Sequence, residues 1–258
     1  MIARACLVAV LSIAHSIAAN AGELADGDTL RAVYIDSNLA QARRDPATGE
    51  VRGPAADLAI ELAKRNGLKL TIAPAPGVAG VIAAVKSGDA DIGFVAYDAT
   101  RAQEVDFSQT YLLAHNTYIV REDSSVRATA DLDRAGRKIG VGEKDAADLF
   151  LSRNLNAAAL HRIPSSDLDS GIKMLLAGDI DGYAANRTRL LAVTDRVPGL
   201  RLLADNFYDV EQAIVVAKGN PKRREIVERF VIDAKASGLV KAAIDRAGLR
   251  GVSVAPPK

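Results

Sequence analysis

The chain has 258 residues, 49% hydrophobic and 25% charged, a composition typical of one large or two ordinary folded domains that excludes disordered, fibrous and coiled-coil proteins. Its 33 basic and 32 acidic residues leave a formal charge of +1, and this balance, with no tryptophan, argues against nucleic acid as a partner. One cysteine excludes a disulfide framework and a structural zinc site.

Residues 1–21 have the organisation of a cleavable export signal. Arg4 precedes a short apolar run, and the segment ends in Ala19-Asn20-Ala21, which has the small-x-small pattern that signal peptidase cleaves. The run is too short to span a bilayer, which needs about 20 apolar residues. Cleavage after Ala21 would remove Arg4 and the one cysteine, Cys6. The sequence therefore predicts a periplasmic protein with a formal charge of zero.

Short apolar strands alternate with helical patterns along the mature chain, as is typical of parallel-sheet α/β proteins. The predicted strands are Leu30–Ile35, Leu68–Ala73, Ala90–Ala96, Thr117–Val120, Lys138–Val141, Leu160–Ile163, Ile180–Ala185 and Ala213–Ala217. The first helix is predicted to begin at Pro54 and to end before Gly67. Asn220 is predicted to cap a late helix, and Gly238 to separate that helix from the last one.

A short motif occurs twice, 90 residues apart. Gly88-Asp89-Ala90-Asp91 recurs as Gly178-Asp179-Ile180-Asp181, and each copy predicts a helix end followed by a strand and a polar loop. Ligands of open parallel sheets collect at the carboxyl ends of strands, so the loops after the two strands are expected to face one cleft between two lobes. The alternative is an accidental recurrence of common turn residues.

Arg101 is the strongest single candidate for ligand binding. It follows a predicted strand in a loop that also holds Asp98 and Thr100, and a guanidinium there can clamp a carboxylate through two parallel hydrogen bonds. The alternative is a surface arginine paired with Glu104 or Asp106.

The sequence around Arg101 resembles the periplasmic solute-binding proteins of amino-acid-type ABC importers, the bacterial extracellular solute-binding protein family 3. The family's first-lobe pattern reads here as Ser87–Phe94, Thr100-Arg101 and then Val105-Asp106-Phe107-Ser108-Gln109-Thr110-Tyr111. The similarity extends to Thr48–Gly53 with Ala56–Ala59, to Asp131-Leu132 and to the C-terminal helices, and so covers nearly the whole mature chain.

The resemblance implies an α/β, two-lobed periplasmic-binding-protein fold in which each lobe is a mainly parallel sheet flanked by helices. Lobe 1 is expected at 27–115 and 211–251, and the inserted lobe 2 at 116–210, with two hinge crossovers near 115–118 and 208–212. Hinge closure would capture a small solute that bears a carboxylate, an amino acid or a related organic acid. The resemblance further implies a monomer without a cofactor, which delivers its ligand to the membrane permease of an ABC importer.

The family's ligand-binding pattern is incomplete in this sequence. Asn38 stands where receptors for polar amino acids present an aromatic side chain, and the Thr-x-x-Arg loop is contracted to Thr100-Arg101. In the second lobe, Lys144-Asp145 stands where the family has Gly-Thr or Gly-Ser before a helix, and Asn186 stands where the family has the acid that meets the α-amino group. Either Asp145 or Asp98 supplies the missing negative charge, or the ligand lacks an α-amino group.

The segment 140–145 follows a predicted strand and opens a helix, as a dinucleotide-binding glycine loop does. Asp145 occupies the third glycine position, where its carboxylate would repel a pyrophosphate. The better interpretation is a loop whose backbone N–H groups meet a ligand carboxylate, with Lys144 adding positive charge; the alternative is a solvated lysine–aspartate pair. The full set of candidate ligand-binding residues is Asn38, Ala96, Asp98, Arg101, Lys144, Asp145, Ala146 and Asn186, with no metal site and no catalytic residue.

Three functional classes are compatible with these observations. An import receptor needs a closable cleft, whereas a periplasmic cyclohexadienyl-dehydratase-like enzyme on the same fold also needs a placed acid or base. The candidates for proton transfer are His115, Asp98, Glu143 and Asp145, and His115 is expected to be structural because it lies at a predicted hinge. No G-x-S-x-G, H-E-x-x-H or P-loop pattern occurs. The sequence favours an import receptor over an enzyme, with the ligand-sensing component of a membrane receptor as the third class.

Overall fold

The computed structural model describes residues 21–36, 38 and 40–257. The export signal predicted at 1–21 lies outside the described residues except for Ala21, so Arg4, Cys6 and the cleavage pattern are not described. The chain forms two compact units. Unit 1 runs to Leu112 and takes in Glu211–Gly248 and the segment from Val254, whereas unit 2 consists of Leu113–Val210 and Leu249–Ser253.

Strands and helices alternate through both units, as the sequence pattern predicts. The strands are β1 (Thr29–Ile35), β2 (Arg43–Arg44), β3 (Val51–Arg52), β4 (Lys69–Ala75), β5 (Ile92–Ala96), β6 (Val105–Arg121), β7 (Lys138–Gly142), β8 (Ala159–Ile163), β9 (Gly182–Asn186), β10 (Leu200–Leu202), β11 (Tyr208–Ala217) and β12 (Val252–Val254). The helices are α1 (Pro54–Arg65), α2 (Gly77–Ser87), α3 (Ala146–Asn154), α4 (Leu168–Ala177), α5 (Arg187–Thr194), α6 (Pro221–Ala236) and α7 (Leu239–Arg246). Among the described residues, no helix is long and apolar enough to cross a membrane.

Unit 1 contains a mainly parallel sheet with the strand order β4-β1-β5-β11. Strands β1, β4 and β5 are parallel, and β11 is antiparallel to β5, with Gln212 opposite Ala96. Val81 and Val85 of α2 pack with Val95 and Val215 in a buried cluster. This packing fixes β5, whose carboxyl end leads into the loop that carries Arg101.

In unit 2 the strands follow in the order β6-β9-β7-β8. Strands β7, β8 and β9 are parallel, β6 is antiparallel to β9, and β10 pairs with β6. Buried clusters that include Val141 and Ile172 pack against the sheet. Two glycines, Gly140 and Gly171, leave room for the ring of Tyr183, because a Cβ atom at either position would overlap it. The fold class predicted from the sequence is confirmed.

The repeated Gly-Asp-x-Asp motif forms the same structure in each unit. Gly88 and Gly178 end helices α2 and α4 in the left-handed conformation, at φ of 79° and 82°. The last aspartate of each copy then accepts a hydrogen bond from a backbone amide of the neighbouring parallel strand, Asp91 from Arg31 of β1 and Asp181 from Lys138 of β7, both at 2.8 Å. The motif therefore anchors a strand in each unit.

The predicted helix boundaries are confirmed where a capping residue marks them. Asn220 Oδ1 accepts a hydrogen bond from the amide of Arg223 at 2.9 Å and so caps α6, which begins at Pro221. Gly238, at φ 78°, separates α6 from α7. Two strands were predicted too short, and one of them is β11, which was predicted at Ala213–Ala217 and spans Tyr208–Ala217. The segment expected at Thr117–Val120 belongs to the 17-residue strand β6, whose first half carries the family motif.

Candidate functional site

Two of the unit 1 candidates, Asp98 and Arg101, lie on the Arg101 loop, residues 97–101, which follows β5 at its carboxyl end. Asp98 Oδ1 accepts hydrogen bonds from the amides of Thr100 and Arg101, at 2.9 and 3.2 Å, and so holds the first turn of a short 3₁₀ helix, Arg101–Gln103. Burial raises the pKa of Asp98, but the amides of Arg101 and Thr100 outweigh it and hold the pKa below its ordinary value. The Asp98 carboxylate therefore stays ionised.

The Arg101 side chain is oriented by the strand that precedes it. Its Nη1 donates to the carbonyl oxygen of Ala96 at 2.8 Å. The predicted alternative, a surface ion pair, is not formed: Glu104 pairs with Lys86 at 2.8 Å and Asp106 lies 4.0 Å from Lys218. No carboxylate in the described part of the chain forms an ion pair with Arg101, so its guanidinium keeps donors for a ligand.

Asn38 lies in the loop after β1, and a buried amide pair fixes that loop. Asn38 Oδ1 accepts from the amide of Ala40 at 3.2 Å. The fully buried Gln41 accepts from the amide of Ile35 at 3.0 Å and donates through Nε2 to Gln212 Oε1 at 2.9 Å. Gln212 is the residue that pairs with Ala96 across the sheet. The Asn38 loop and the start of the Arg101 loop are thus tied to one framework.

In unit 2 the candidates lie on the Lys144 loop, residues 143–145, between β7 and α3. Lys144 is the one non-glycine residue with a positive φ in the described chain, at 62°, a conformation that costs about 1–3 kcal/mol. Its amide donates to Asp148 Oδ2 at 2.9 Å, and the buried Asp148 also accepts from Ser152 and Arg162, each at 3.0 Å. These contacts offset the strain and leave the Lys144 ammonium exposed.

Asp145 occupies the position before the first turn of α3, but its side chain makes no capping hydrogen bond. Its Oδ2 instead accepts from Arg189 Nη1 at 2.9 Å, and Arg189 Nη2 also donates to the carbonyl oxygen of Ser165 at 3.1 Å. Burial raises the pKa of Asp145 above its ordinary value, against the opposing charge of Arg189. Asp145 thus combines burial with an ion pair and leaves the first-turn amides of α3, beginning at Ala146, without a side-chain cap.

Asn186 ends β9 and caps the following helix. Its Oδ1 accepts from the amide of Thr188 at 2.9 Å, which engages the carbonyl end of the side chain. The side-chain nitrogen of Asn186, Nδ2, has no hydrogen-bond partner among the described residues and can donate to a ligand. Asn186 therefore offers a hydrogen bond to an acceptor, but no negative charge to an ammonium.

His115, one of the candidates for proton transfer, is part of a side-chain pair in unit 2. Its Nδ1 lies 2.7 Å from Asp209 Oδ1, and its backbone amide donates to the carbonyl oxygen of Gly251 at 3.1 Å. The pair joins β6 to β11, the two strands that pass between the units. Among the described residues, no group of three or more His, Cys, Asp or Glu side chains is placed to hold a metal ion.

Comparison with known proteins identifies the family. The sequence model of the bacterial extracellular solute-binding proteins, family 3, matches residues 33–248 of the chain. The chain belongs to this family. The glutamine-binding protein of Geobacillus stearothermophilus is 26% identical over 201 residues, which are 74% of this chain and 73% of that protein.

Two solved structures share the fold of this chain. The amino acid ABC transporter substrate-binding protein AbpA of Streptococcus pneumoniae, bound to L-arginine, has a TM-score of 0.62 and 22% identity and covers 85% of this chain and 94% of its own. An ancestral amino-acid-binding protein, a precursor of cyclohexadienyl dehydratase, has a TM-score of 0.64 and 20% identity and covers 88% of this chain and 97% of its own. The resemblance stated from the sequence motifs is thereby confirmed.

The structure of this family-3 chain assigns contacts that the sequence did not. Gln41, Gln212 and Arg189 are not among the site residues predicted from the sequence. Arg189 lies just after the predicted strand of the second motif copy, where a polar loop was expected, and that position was its one signal. The glutamines offered none, because their side chains meet across 171 residues of sequence.

Proposed function

We propose that the chain captures an amino acid or a related small carboxylate in the periplasm and delivers it to the membrane permease of an ABC importer. Family membership and the named relatives support this, since one binds glutamine and another was solved with L-arginine. The observation that carries the proposal is the state of Arg101, whose guanidinium is oriented by Ala96 and forms no ion pair in the described chain.

In this proposal Arg101 clamps the ligand carboxylate from unit 1, alongside Asn38, Ala96 and Asp98. A planar fork with two parallel donors suits a carboxylate better than a single ammonium does. Asp98 acts through the loop, because its Oδ1 holds the turn from which Arg101 projects.

Unit 2 contributes donors and one acid to the same ligand. The uncapped first turn of α3, from Ala146, offers backbone N–H groups, and Lys144 and Asn186 offer a charged and a neutral donor. Asp145 supplies the negative charge for an α-amino group through Oδ1, while Oδ2 stays with Arg189. Strands β6 and β11, along which the chain runs from one unit to the other, serve as the hinges on which the two units close.

Native mass spectrometry of freshly purified protein, followed by calorimetric titration, tests the proposal. We expect a bound small carboxylate in the native spectrum, and binding of at least one of L-arginine, L-glutamine, L-cystine, L-glutamate and 2-oxoglutarate. Protein that carries no small molecule and binds none of these compounds at millimolar concentration would contradict the proposal.

The alternative enzyme, a cyclohexadienyl-dehydratase-like protein, has one observation in its favour. Burial raises the pKa of Asp145, which is the direction required of a general acid. The Arg189 ion pair opposes that change, and the ionised Asp98 is a poor acid. Incubation with prephenate and arogenate is expected to return both unchanged, and turnover abolished by Asp145→Asn would establish the enzyme instead.

A further inference from the structure

Tyr97, the first residue of the Arg101 loop, is a large aromatic side chain left 49% exposed. Because its ring is half-exposed, Tyr97 forgoes part of the stabilisation that full burial of an aromatic side chain would give. The other exposed large apolar side chains of the described chain all lie on helices; they are Ile60, Leu149, Leu176 and Ile232. Tyr97 alone among these five lies at the carboxyl end of a strand, beside a candidate binding residue.

The Tyr97 ring is held in place although it is exposed. Its backbone amide donates to the carbonyl oxygen of Glu211 at 2.7 Å, which continues the pairing of β5 with β11. Its ring packs edge-on against Phe107, with centroids 5.2 Å apart and planes at 73°. Phe107 in turn packs against the buried cluster that contains Val95 and Val105. A ring fixed in this way loses little conformational entropy when a ligand packs on it.

We propose that Tyr97 is a specificity-determining residue, whose exposed ring packs against the side chain of the ligand that Arg101 holds by its carboxylate. The inference rests on the proposed function. An aromatic face favours flat, apolar and cationic groups. The substrate class is therefore an amino acid with an extended side chain, and Tyr97 supplies the ring that is missing at Asn38.

Calorimetric titration of wild type, Tyr97→Ala and Tyr97→Phe with the panel used for the proposed function tests this role. Ile60→Ala is the matched control, because it removes an equally exposed apolar side chain from α1. We expect Tyr97→Ala to weaken binding of the panel's amino acids by about tenfold or more, with a larger loss for longer side chains. Tyr97→Phe and Ile60→Ala should stay within about threefold of wild type.

Tyrosine emission gives an independent readout, since the chain has no tryptophan and six tyrosines. Ligand addition should change the emission of wild type, and most of that change should disappear in Tyr97→Phe while affinity is kept. Unchanged affinity in Tyr97→Ala, or an equal loss for every ligand, would overturn the role of Tyr97. In that case, continued dependence on Arg101 would leave the proposed function standing, whereas a wild type that binds no panel member would overturn both.

Discussion

Arg189 and Asp145 form an ion pair in unit 2, with 2.9 Å between Arg189 Nη1 and Asp145 Oδ2, although they are 44 residues apart in sequence. The pair places a half-buried acid, Asp145, in an ion pair next to the start of α3, where no side chain caps the helix. A ligand ammonium would therefore share Asp145 with Arg189.

Binding of amino acids is expected to weaken as pH falls through the pKa of Asp145. Burial raises that pKa above its ordinary value and Arg189 opposes the rise, so Arg189→Gln should move the acidic limb of the affinity profile to higher pH. Titration calorimetry between pH 4 and 7 measures the limb for both proteins. Arg196→Gln, which removes an exposed arginine paired with Asp169, is the control. An identical limb in Arg189→Gln would show that Asp145 does not bind the ligand.

Arg101→Lys is expected to impair ligand binding almost as strongly as Arg101→Ala. Lysine keeps the charge but loses the planar fork, and truncating one member of a hydrogen-bonded charge pair costs about 2–5 kcal/mol, or roughly 30-fold or more in affinity. The melting temperature of the ligand-free protein should barely change. Titration calorimetry measures ligand binding by both variants, and Arg229→Lys, which changes an exposed arginine on α6, is the control. If Arg101→Ala binds the ligand nearly as well as wild type, Arg101 does not bind the carboxylate, and Lys144 becomes the candidate for that role.

Asp91→Asn should destabilise the protein more than Asp181→Asn, although both aspartates occupy the same position of the repeat. Asp91 is fully buried, accepts from Arg31 Nη2 at 2.7 Å and lies 3.6 Å from the buried Arg223, so its loss leaves guanidinium groups without their counter-charge. We expect a cost of about 3 kcal/mol.

Asp181 is partly exposed and pairs with Arg137, so Asp181→Asn should cost about 1 kcal/mol. Denaturant unfolding of both variants compares the two losses. Equal losses of unfolding free energy in the two variants would mean that the burial of Asp91 does not strengthen its stabilising contacts.

Asp133 is expected to contribute stability that disappears in acid. The backbone amides of Ala158, Ala157 and Asn156 lower the pKa of Asp133 to about 2, below its unfolded value. The contribution is therefore fully present above pH 4 and is lost as pH falls towards 2. Asp133→Asn should lower the melting temperature at pH 7 and reduce its fall between pH 4 and 2. Asp123→Asn, at an exposed surface aspartate, should leave both quantities near wild type.

The sequence by itself determined the features that depend on neighbouring residues. The strands follow from short apolar runs, the start of α6 from Asn220 and Pro221, and the left-handed turns from Gly88 and Gly178. The family could be recognised because its motif lies in one continuous stretch around Arg101. In each case the physical cause acts within a few residues.

Only the tertiary structure decided which side chains are engaged and which stay available. Asp145 meets Arg189, Gln41 meets Gln212, and Glu104 meets Lys86 instead of Arg101. These choices depend on strand register and on how helices pack over the sheets, which place residues far apart in sequence within hydrogen-bond distance. Composition and periodicity carry no record of such distances, so the charge state of the candidate site became visible only in the fold.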